Sequence, residues 1–388
     1  MSQAAHYQQW VGAAAYKNVK GGMLVKEVDF SKKLVRYFST ILPNGKLGFF
    51  SSGCTSVIVS DIKKLSKRTI GNQVYSFLLA CSDGKLQKRS AFVLKAYGRS
   101  LDPVTKRYKT VENLDRCKKE FQVLTSLGRV GFPVPKACFY EVDLTVLSLP
   151  FIITEKEELS CNLLKNLDEF AKNLVWLHSL DVDTLGINVL KSPEGGCEFA
   201  WRCLLYLKLY LNLYPSQSKG LKRDFELATS WLESNIHMNS CPKYSLIHGD
   251  YRANFNAVMT NSSKMVVIDW EDAAIGDPAY DVGTAYARER VDLGKETADR
   301  FVQEYLKYHD GDIAERLLFY ELLAYLRLAI THNAVLSNPL RAYEIHGPKA
   351  FLSFPFFNLP FVAKRVGTDL DIIWVESFKE FVREKLSR

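Results

Sequence analysis

The stretch 245–283 reads S-L-I-H-G-D-Y-R-A-N-F-N-A-V-M-T-N-S-S-K-M-V-V-I-D-W-E-D-A-A-I-G-D-P-A-Y-D-V-G. Within it, two short apolar runs, 246–247 and 265–268, lead the chain to two aspartates, Asp250 and Asp269. Short apolar runs of this kind predict buried strands. Strands that end on carboxylates are typical of a functional site, and the rest of the chain is interpreted from this one.

The residues between the two aspartates predict a hairpin. A further apolar run is followed by the polar cluster T-N-S-S at 260–263, which is typical of a turn. The hairpin gathers Asp250, Asp269 and the pair Asn254 and Asn256 at one end of a small sheet. Mg²⁺ is held by one or two carboxylates together with substrate phosphates. Phosphoryl transfer needs such a set, since one Asp takes the acceptor's hydroxyl proton while an Asn and a second Asp hold the metal.

The motifs H-G-D-Y-R at 248–252 and I-D-W-E-D-A-x-x-G-D-P-A-Y-D-V-G at 268–283 resemble the aminoglycoside phosphotransferase and choline kinase branch of the protein-kinase-like fold. The resemblance implies an α+β, bilobal protein: a small N-lobe with an antiparallel sheet plus one helix, and a larger, mainly helical C-lobe. It also implies an ATP-dependent small-molecule kinase that transfers the γ-phosphoryl group to a hydroxyl of a small acceptor, with Mg²⁺. Asp250 is then the catalytic base and Asp269 the metal-binding aspartate.

One position departs from the kinase pattern. That pattern places a metal-binding Asn five positions after the catalytic Asp, and position 255 is Phe. Asn254 lies one position early and Asn256 one position late. A one-residue bulge with Asn256 as the ligand is favoured, because an apolar strand follows it. Alternatively, Asn254 is the ligand, or both residues simply cap the turn.

Further residues of the same stretch are candidates for bracing the site. By the resemblance, Asp277 near a helix start and Asp281 within the helix brace the site, and His248 is a further candidate for bracing the site or contacting the substrate. Arg252 reaches either the substrate or a structural carboxylate. Glu271 either braces a second metal ion or is purely structural.

Lys95 lies inside the apolar strand predicted at 90–97, where a solvated lysine is unusual. In the kinase scheme this lysine contacts the ATP phosphates and pairs with a Glu on the next helix. Apolar residues at three- and four-residue steps predict that helix around 111–127, which carries Glu120 and, as the alternative partner, Glu112. The alternatives are an edge lysine that points outward and a solvated charged helix face.

Two weaker nucleotide contacts follow from position. Gly71, before the first long strand, resembles the glycine-poor nucleotide loop of aminoglycoside phosphotransferases. The backbone of 153–157, which includes Glu155, corresponds to the hinge that hydrogen-bonds the adenine.

The expected organisation has three parts: 1–55, an extension that packs on the first lobe or caps the acceptor site; 56–154, the nucleotide-binding N-lobe; and 155–388, the C-lobe with the catalytic loop and acceptor site. In the C-lobe, His178 at the end of an apolar helix face is expected to be structural. The weaker acceptor-site candidates are Glu321, Arg327 and His332.

Composition restricts the partners. The 388 residues carry a formal charge of +8, but no nucleic-acid-binding motif accompanies it, so the partner is a small-molecule acceptor. No signal peptide or membrane span is recognisable, which predicts a cytoplasmic protein. Eight scattered cysteines predict reduced, mostly buried thiols. The acceptor, ATP versus GTP and the oligomeric state stay open, and the alternative functions are a non-catalytic pseudokinase and a kinase of a protein hydroxyl.

Overall fold

The computed structural model describes residues 22–41, 56–65, 72–82, 87–98, 100–101, 108–160, 167–213, 219–253, 255–309, 313–337 and 369–386. Gly71 and Asn254 lie outside these ranges. The described chain folds as an antiparallel sheet with flanking helices, followed by a mainly helical remainder. This is the α+β, protein-kinase-like architecture predicted from the sequence.

The sheet is fully antiparallel, in the order β1 (Ser56–Lys64), β2 (Gln73–Ser82), β3 (Gln87–Ala96), β7 (Phe151–Glu155) and β6 (Ala137–Glu141). Lys95 on β3 stands opposite Val74 on β2 and Ile152 on β7, so it lies in a central strand. The described strands are β1 Ser56–Lys64, β2 Gln73–Ser82, β3 Gln87–Ala96, β4 Ser100–Leu101, β5 Tyr108–Lys109, β6 Ala137–Glu141, β7 Phe151–Glu155, β8 Ser245–Ile247, β9 Ala257–Met259, β10 Met265–Val267 and β11 Ala274–Gly276.

Helices dominate the rest of the described chain. The long helices α8 (Pro278–Leu293) and α10 (Ala314–Ser337) pack against each other, α8 also packs against β8, and a single apolar core runs through them. The described helices are α1 Gly22–Ile41, α2 Thr110–Arg129, α3 Leu144–Leu147, α4 Leu167–Ser179, α5 Val182–Leu185, α6 Glu198–Leu213, α7 Lys219–Asn235, α8 Pro278–Leu293, α9 Lys295–Tyr308, α10 Ala314–Ser337 and α11 Asp369–Lys385. None of the described helices is long and apolar enough to cross a membrane.

Helix α1 belongs to the small lobe. Its buried residues Leu34 and Phe38 enter the same apolar cluster as Phe77 of β2 and Phe92 of β3. The Tyr37 hydroxyl also donates a hydrogen bond to Glu141 at the end of β6. Two long helices therefore accompany the sheet, where one was expected, and this part of the N-terminal extension packs on the first lobe.

The hairpin predicted between the two aspartates is present. Strands β9 and β10 pair antiparallel, with Val258 opposite Val266. Strand β8, which precedes the H-G-D motif, pairs instead with β11, with Leu246 opposite Ile275. Two small ribbons thus deliver Asp250 and Asp269 to neighbouring loops.

The cysteines follow the prediction in part. Five described cysteines are free, and these are Cys117, Cys138, Cys197, Cys203 and Cys241. Cys81 instead forms a disulfide, so the expectation of reduced thiols is wrong at this position. Spacing along the chain did not reveal it, because a disulfide depends on which cysteines meet in space.

Candidate active site

The H-G-D loop, residues 248–250, is held by the first turn of α8. The carboxylate of Asp281 accepts the backbone N–H groups of His248 at 2.6 Å and Gly249 at 2.8 Å. Asp281 is completely buried, and its Oδ2 also lies 3.3 Å from Nε2 of His178. Nδ1 of His178 in turn lies 2.7 Å from the hydroxyl of Tyr305. His178 is therefore structural, as expected, and Asp281 braces the loop.

Glycine is required at position 249. Its φ is +86°, a conformation that side chains with a Cβ rarely adopt. A Cβ there would lie 2.5 Å from the carbonyl oxygen of Asp272. The H-G-D loop can approach the segment after Asp269 this closely only because the residue is glycine.

The imidazole of His248 joins the two aspartate loops. Its Nδ1 accepts the N–H of Asp250 at 3.2 Å, and its Nε2 lies 3.0 Å from the carbonyl oxygen of Ile268. Because a carbonyl oxygen only accepts, Nε2 is the donor to Ile268 and Nδ1 is the acceptor. The ring is fully buried and packs on Trp270 at a centroid distance of 4.6 Å. His248 therefore connects the loops and does not face the cleft.

Asp250 lies at the tip of the loop with its carboxylate between an amide and a guanidinium. Nδ2 of Asn256 donates to its Oδ2 at 3.1 Å and to its backbone carbonyl at 2.7 Å. Nη2 of Arg288 lies 3.0 Å from its Oδ1. Burial would raise the pKa of the Asp250 carboxyl, but the charges of Arg288 and Arg327 outweigh it and hold that pKa below its usual value. The carboxylate is thus ionised at neutral pH.

Asn256 is the predicted asparagine that the structure places beside Asp250. Both hydrogen bonds to Asp250 use its amide nitrogen, so the carboxamide oxygen is the atom not committed to that residue. Its backbone carbonyl accepts the N–H of Ile268 at 2.7 Å, which brings it next to the Asp269 loop. Asn256 as the metal ligand stays a prediction, since the alternative, Asn254, lies outside the described residues.

Lys95 is surrounded by three carboxylates. Its Nζ lies 2.8 Å from Glu120, 2.5 Å from Asp269 and 3.1 Å from Glu271. Burial alone would lower the Lys95 pKa, but the three acids raise it, so the ammonium stays charged. The Tyr97 hydroxyl donates to Glu120 at 2.6 Å. Glu120 is therefore the partner of Lys95, while the side chain of the alternative, Glu112, lies outside the described residues.

The carboxylates around Lys95 can also hold a cation. Oxygen atoms of Glu120, Asp269 and Glu271 lie within 4.8 Å of one another. Asp269 has a positive φ of 68°, and its side chain is 44% exposed, which presents it to the cleft. Hard oxygen donors of this kind suit Mg²⁺. Glu271 is additionally fixed by Arg116 of α2 at 2.8 Å.

Two predicted bracing residues have partners away from Asp250. Asp277 caps the start of α8 by accepting the N–H of Ala279 at 2.9 Å, and it receives Nε of Arg316 at 2.8 Å. Nη2 of Arg252 lies 2.8 Å from Asp292, which settles it on a structural carboxylate. Asp277 thus fixes the start of α8, and Arg252 ties the loop after Asp250 to the last turn of the same helix.

In the expected hinge, Glu155 is bonded to a neighbouring segment of the small lobe. Its backbone N–H donates to the carbonyl of Lys136 at 2.9 Å, and its carboxylate lies 2.5 Å from Nζ of the same lysine. The next N–H, of Lys156, donates to Ala91 at 3.0 Å. The N–H groups of residues 155 and 156 are therefore used within the protein, while the hinge at 153–157, with Glu155, stays a prediction. Gly71, the other nucleotide candidate, lies outside the described residues.

Sequence reasoning missed the arginines of the site. Arg288 lies at i+7 from Asp281, on the same face of α8, and this spacing is the signal that could have found it. Arg116 lies one turn before Glu120 on α2, next to the predicted partner of Lys95. Of the weaker candidates, Arg327 donates to the Tyr280 hydroxyl at 3.1 Å, and its charge acts on Asp250.

The remaining weak candidates for the acceptor site are Glu321 and His332. Glu321 lies 3.8 Å from Arg290, and burial raises its pKa to about 7. The side chain of His332 lies outside the described residues.

Comparison with known proteins identifies a family match. A model of the phosphotransferase enzyme family matches residues 88–319, more than half of the chain. The chain is also 24% identical over 177 residues to acyl-CoA dehydrogenase family member 11 of Rattus norvegicus, covering 42% of this chain and 22% of that protein. The human counterpart is 27% identical over the same length. The chain thus spans less than a quarter of the length of these curated relatives.

Solved structures share the fold. A putative aminoglycoside phosphotransferase from Ralstonia eutropha superimposes with a TM-score of 0.57 and 15% identity, covering 91% of this chain and 98% of that one. A choline kinase from Streptococcus pneumoniae gives 0.51 and 12%, covering 90% and 99%. A thermostable mutant of aminoglycoside phosphotransferase APH(4)-Ia, solved with ADP and hygromycin B, gives 0.51 and 18%, covering 79% and 97%.

Proposed function

Because the chain belongs to the phosphotransferase enzyme family, we propose that it is a kinase that transfers the γ-phosphoryl group of ATP to a hydroxyl oxygen of a small acceptor. The observation that carries this proposal is that the buried His248 joins the loop of the ionised Asp250 to the loop of Asp269. Asp269 in turn contacts Lys95. A proton acceptor, Asp250, and a cation for the phosphates, Lys95, are then part of the same site.

Asp250 is the group that receives the acceptor's proton. As the acceptor oxygen bonds to the γ-phosphorus, the bond from that phosphorus to the bridging oxygen of ADP breaks, and the hydroxyl proton passes to the Asp250 carboxylate. Asn256 supports this role because its amide fixes the orientation of the carboxylate at 3.1 Å. Positioning and electrostatics provide most of the catalysis in such a site.

Lys95 carries the charge for the nucleotide phosphates, and Glu120 orients it. Asp269 and Asn256 are the residues that would hold Mg²⁺, and Asn254 is the alternative to Asn256. The bound ion would neutralise charge on the phosphates. Residues 56–154 would bind the nucleotide and 155–388 the acceptor, with GTP as the alternative to ATP.

The principal rival is a pseudokinase, suggested by the shifted asparagine. The contacts of Asn256 with Asp250 argue against it, because the amide reaches the base in spite of the shift. A kinase that acts on a protein hydroxyl shares every residue named above, so acceptor assays separate it from the proposal.

Thermal unfolding of the full chain with ATP, GTP and MgCl₂, alone and combined, tests the proposal. A ligand at about 100 times its dissociation constant adds about 2.7 kcal/mol to the free energy of unfolding. We expect an increase in Tm that needs nucleotide and Mg²⁺ together. No shift with any nucleotide, repeated by calorimetry, would support the pseudokinase instead.

A further inference from the structure

The surroundings of Asp250 indicate the charge of the acceptor, an inference that rests on the proposed function. Nη2 of Arg288 lies 3.0 Å from Oδ1 of Asp250, but the groups are not aligned for a hydrogen bond. Among the described residues, Nε of Arg288 is buried and has no hydrogen-bond partner. The guanidinium presents five N–H donors in all. It therefore retains donors for a second anionic partner beside the base.

A second arginine approaches from α10. Nη1 of Arg327 donates to the Tyr280 hydroxyl at 3.1 Å, on the side of α8 that faces α10. Its positive charge acts on both Asp250 and Asp272, opposing the effect of burial on their pKa values. Arg327, from a second helix, therefore adds positive charge at the carboxylate that is proposed to receive the proton.

A third arginine nearby pairs with a carboxylate other than the proposed base. Arg252 forms an ion pair with Asp292 at 2.8 Å, and its guanidinium lies 4.0 Å from the centroid of the Phe255 ring. Arg288 instead faces the carboxylate of Asp250 itself, so it is the cation beside the acceptor position.

A cationic acceptor would meet like charges at this position. Its hydroxyl must approach Asp250, and this places the rest of a small molecule within a few ångströms of Arg288. Like charges at such distances repel strongly in a partly buried site, whereas a planar guanidinium can bind a carboxylate or phosphate through two parallel hydrogen bonds.

We infer that the acceptor alcohol carries an anionic group, a carboxylate or a phosphate, that binds Arg288 while its hydroxyl faces Asp250, and that the charge of Arg327 adds to the attraction. The anion and the hydroxyl lie a short distance apart, because Arg288 contacts the base directly. The site thereby favours hydroxy acids and phosphorylated alcohols over amino alcohols.

Four probes with one carbon skeleton test this inference: 3-hydroxypropanoate, 3-hydroxypropyl phosphate, 1,3-propanediol and 3-amino-1-propanol. Binding of each to the full chain is measured by ligand-detected NMR with AMP-PNP and MgCl₂ present. We expect at least one anion to bind about tenfold or more tightly than the diol, and the amine to bind most weakly. Comparison of 3-hydroxypropanoate with 3-hydroxypropyl phosphate shows whether the site prefers a carboxylate or a phosphate. Equal binding of all four probes, or tighter binding of the amine, would overturn the inference.

A matched pair of variants identifies the residue responsible. Arg288→Lys keeps the charge and should keep the preference for the anion, whereas Arg288→Gln should reduce the ratio of anion to diol binding to about one. Thermal unfolding of both variants checks that they fold. An unchanged ratio in Arg288→Gln and in the second variant, Arg327→Gln, would contradict the assignment.

The binding of AMP-PNP itself, measured in the same samples, separates the two proposals. Nucleotide binding without any preference for an anion leaves the kinase proposal standing and removes the acceptor inference. Absence of nucleotide binding counts against the kinase, and the same probes are then compared without nucleotide.

Discussion

The carboxylate of Asp281 accepts the backbone N–H of His248 at 2.6 Å, so a residue on α8 fixes the backbone of the proposed catalytic loop. It also accepts the N–H of Gly249 at 2.8 Å, and all three groups lie in the interior. Replacement by alanine leaves two buried donors without a partner. Each unsatisfied donor costs about 1–3 kcal/mol, so we expect Asp281→Ala to lower the free energy of unfolding by about 3 kcal/mol.

Urea unfolding measures this loss. Asp281→Asn keeps one carbonyl acceptor and should lose less. Glu226→Ala, on the exposed face of α7, is the control and should change stability by less than about 0.5 kcal/mol. A similarly small change in Asp281→Ala would show that the loop does not depend on this contact.

Replacement of Asp250 tests its role directly. Asp250→Asn preserves the shape of the side chain and removes the carboxylate that accepts the proton. We expect turnover, measured as ADP release, to fall by about 100-fold to 10 000-fold, the usual contribution of general acid-base catalysis. The dissociation constant of the nucleotide should remain nearly unchanged, because Lys95 and Asp269 are retained. Wild-type turnover in this variant would rule out Asp250 as the base.

Lys95 has a structural and a functional role that a pair of variants can separate. Lys95→Met leaves the buried Glu120 without its cation, and breaking such a pair costs about 3–5 kcal/mol. The double variant Lys95→Met/Glu120→Gln removes both charges and should recover much of that stability. It should not recover nucleotide affinity, since no ammonium remains for the phosphates. Calorimetric titration of ATP and urea unfolding of the three proteins give both readouts, and recovery of affinity would contradict the proposed role.

Glu289 makes stability depend on pH near neutrality. It is buried in α8 and accepts the N–H of Ala253 at 2.8 Å, and burial raises its pKa from 4.5 to about 7. Because the folded state holds this proton more tightly, its contribution to stability is complete below about pH 4.5 and is lost as the pH rises through 7.

The expected loss between pH 5 and pH 8 is about 2 kcal/mol for a shift of this size. Glu289→Gln keeps a carbonyl acceptor and should reduce the slope of the unfolding free energy against pH over that interval. Glu321, whose pKa is also about 7, remains in the variant and provides a residual slope for comparison. An identical slope in wild type and variant would show that Glu289 does not titrate there.

Much of the site could be predicted because it follows from the pattern of apolar and polar residues over short stretches of sequence. A lysine in an apolar strand and a glutamate on the next amphipathic helix led to the pair Lys95 and Glu120, whose atoms lie 2.8 Å apart. The hairpin after Asp250 followed from apolar runs around a polar turn. These signals lie within a few residues of one another, so no knowledge of tertiary packing is needed.

The contacts that were missed join residues distant in sequence. Arg288 reaches Asp250 only because α8 packs behind the H-G-D loop, and Glu271 meets both Asn72 and Arg116 across the cleft. Helix α1 was overlooked because lysines and arginines interrupt its apolar positions. Its burial becomes clear only when the sheet that it covers is in place.

The position of α1 bears on how the chain can be divided. The family match begins at residue 88, within β3, and the first strand begins at Ser56. Either residue would be a natural starting point for a shortened protein. Yet Leu34 and Phe38 cover Phe77 and Phe92, so a shortened chain would turn a packed aromatic face toward water. Exposed apolar faces of this kind promote self-association, so we expect a shortened protein to stay monomeric only if it keeps the helix that starts at Gly22.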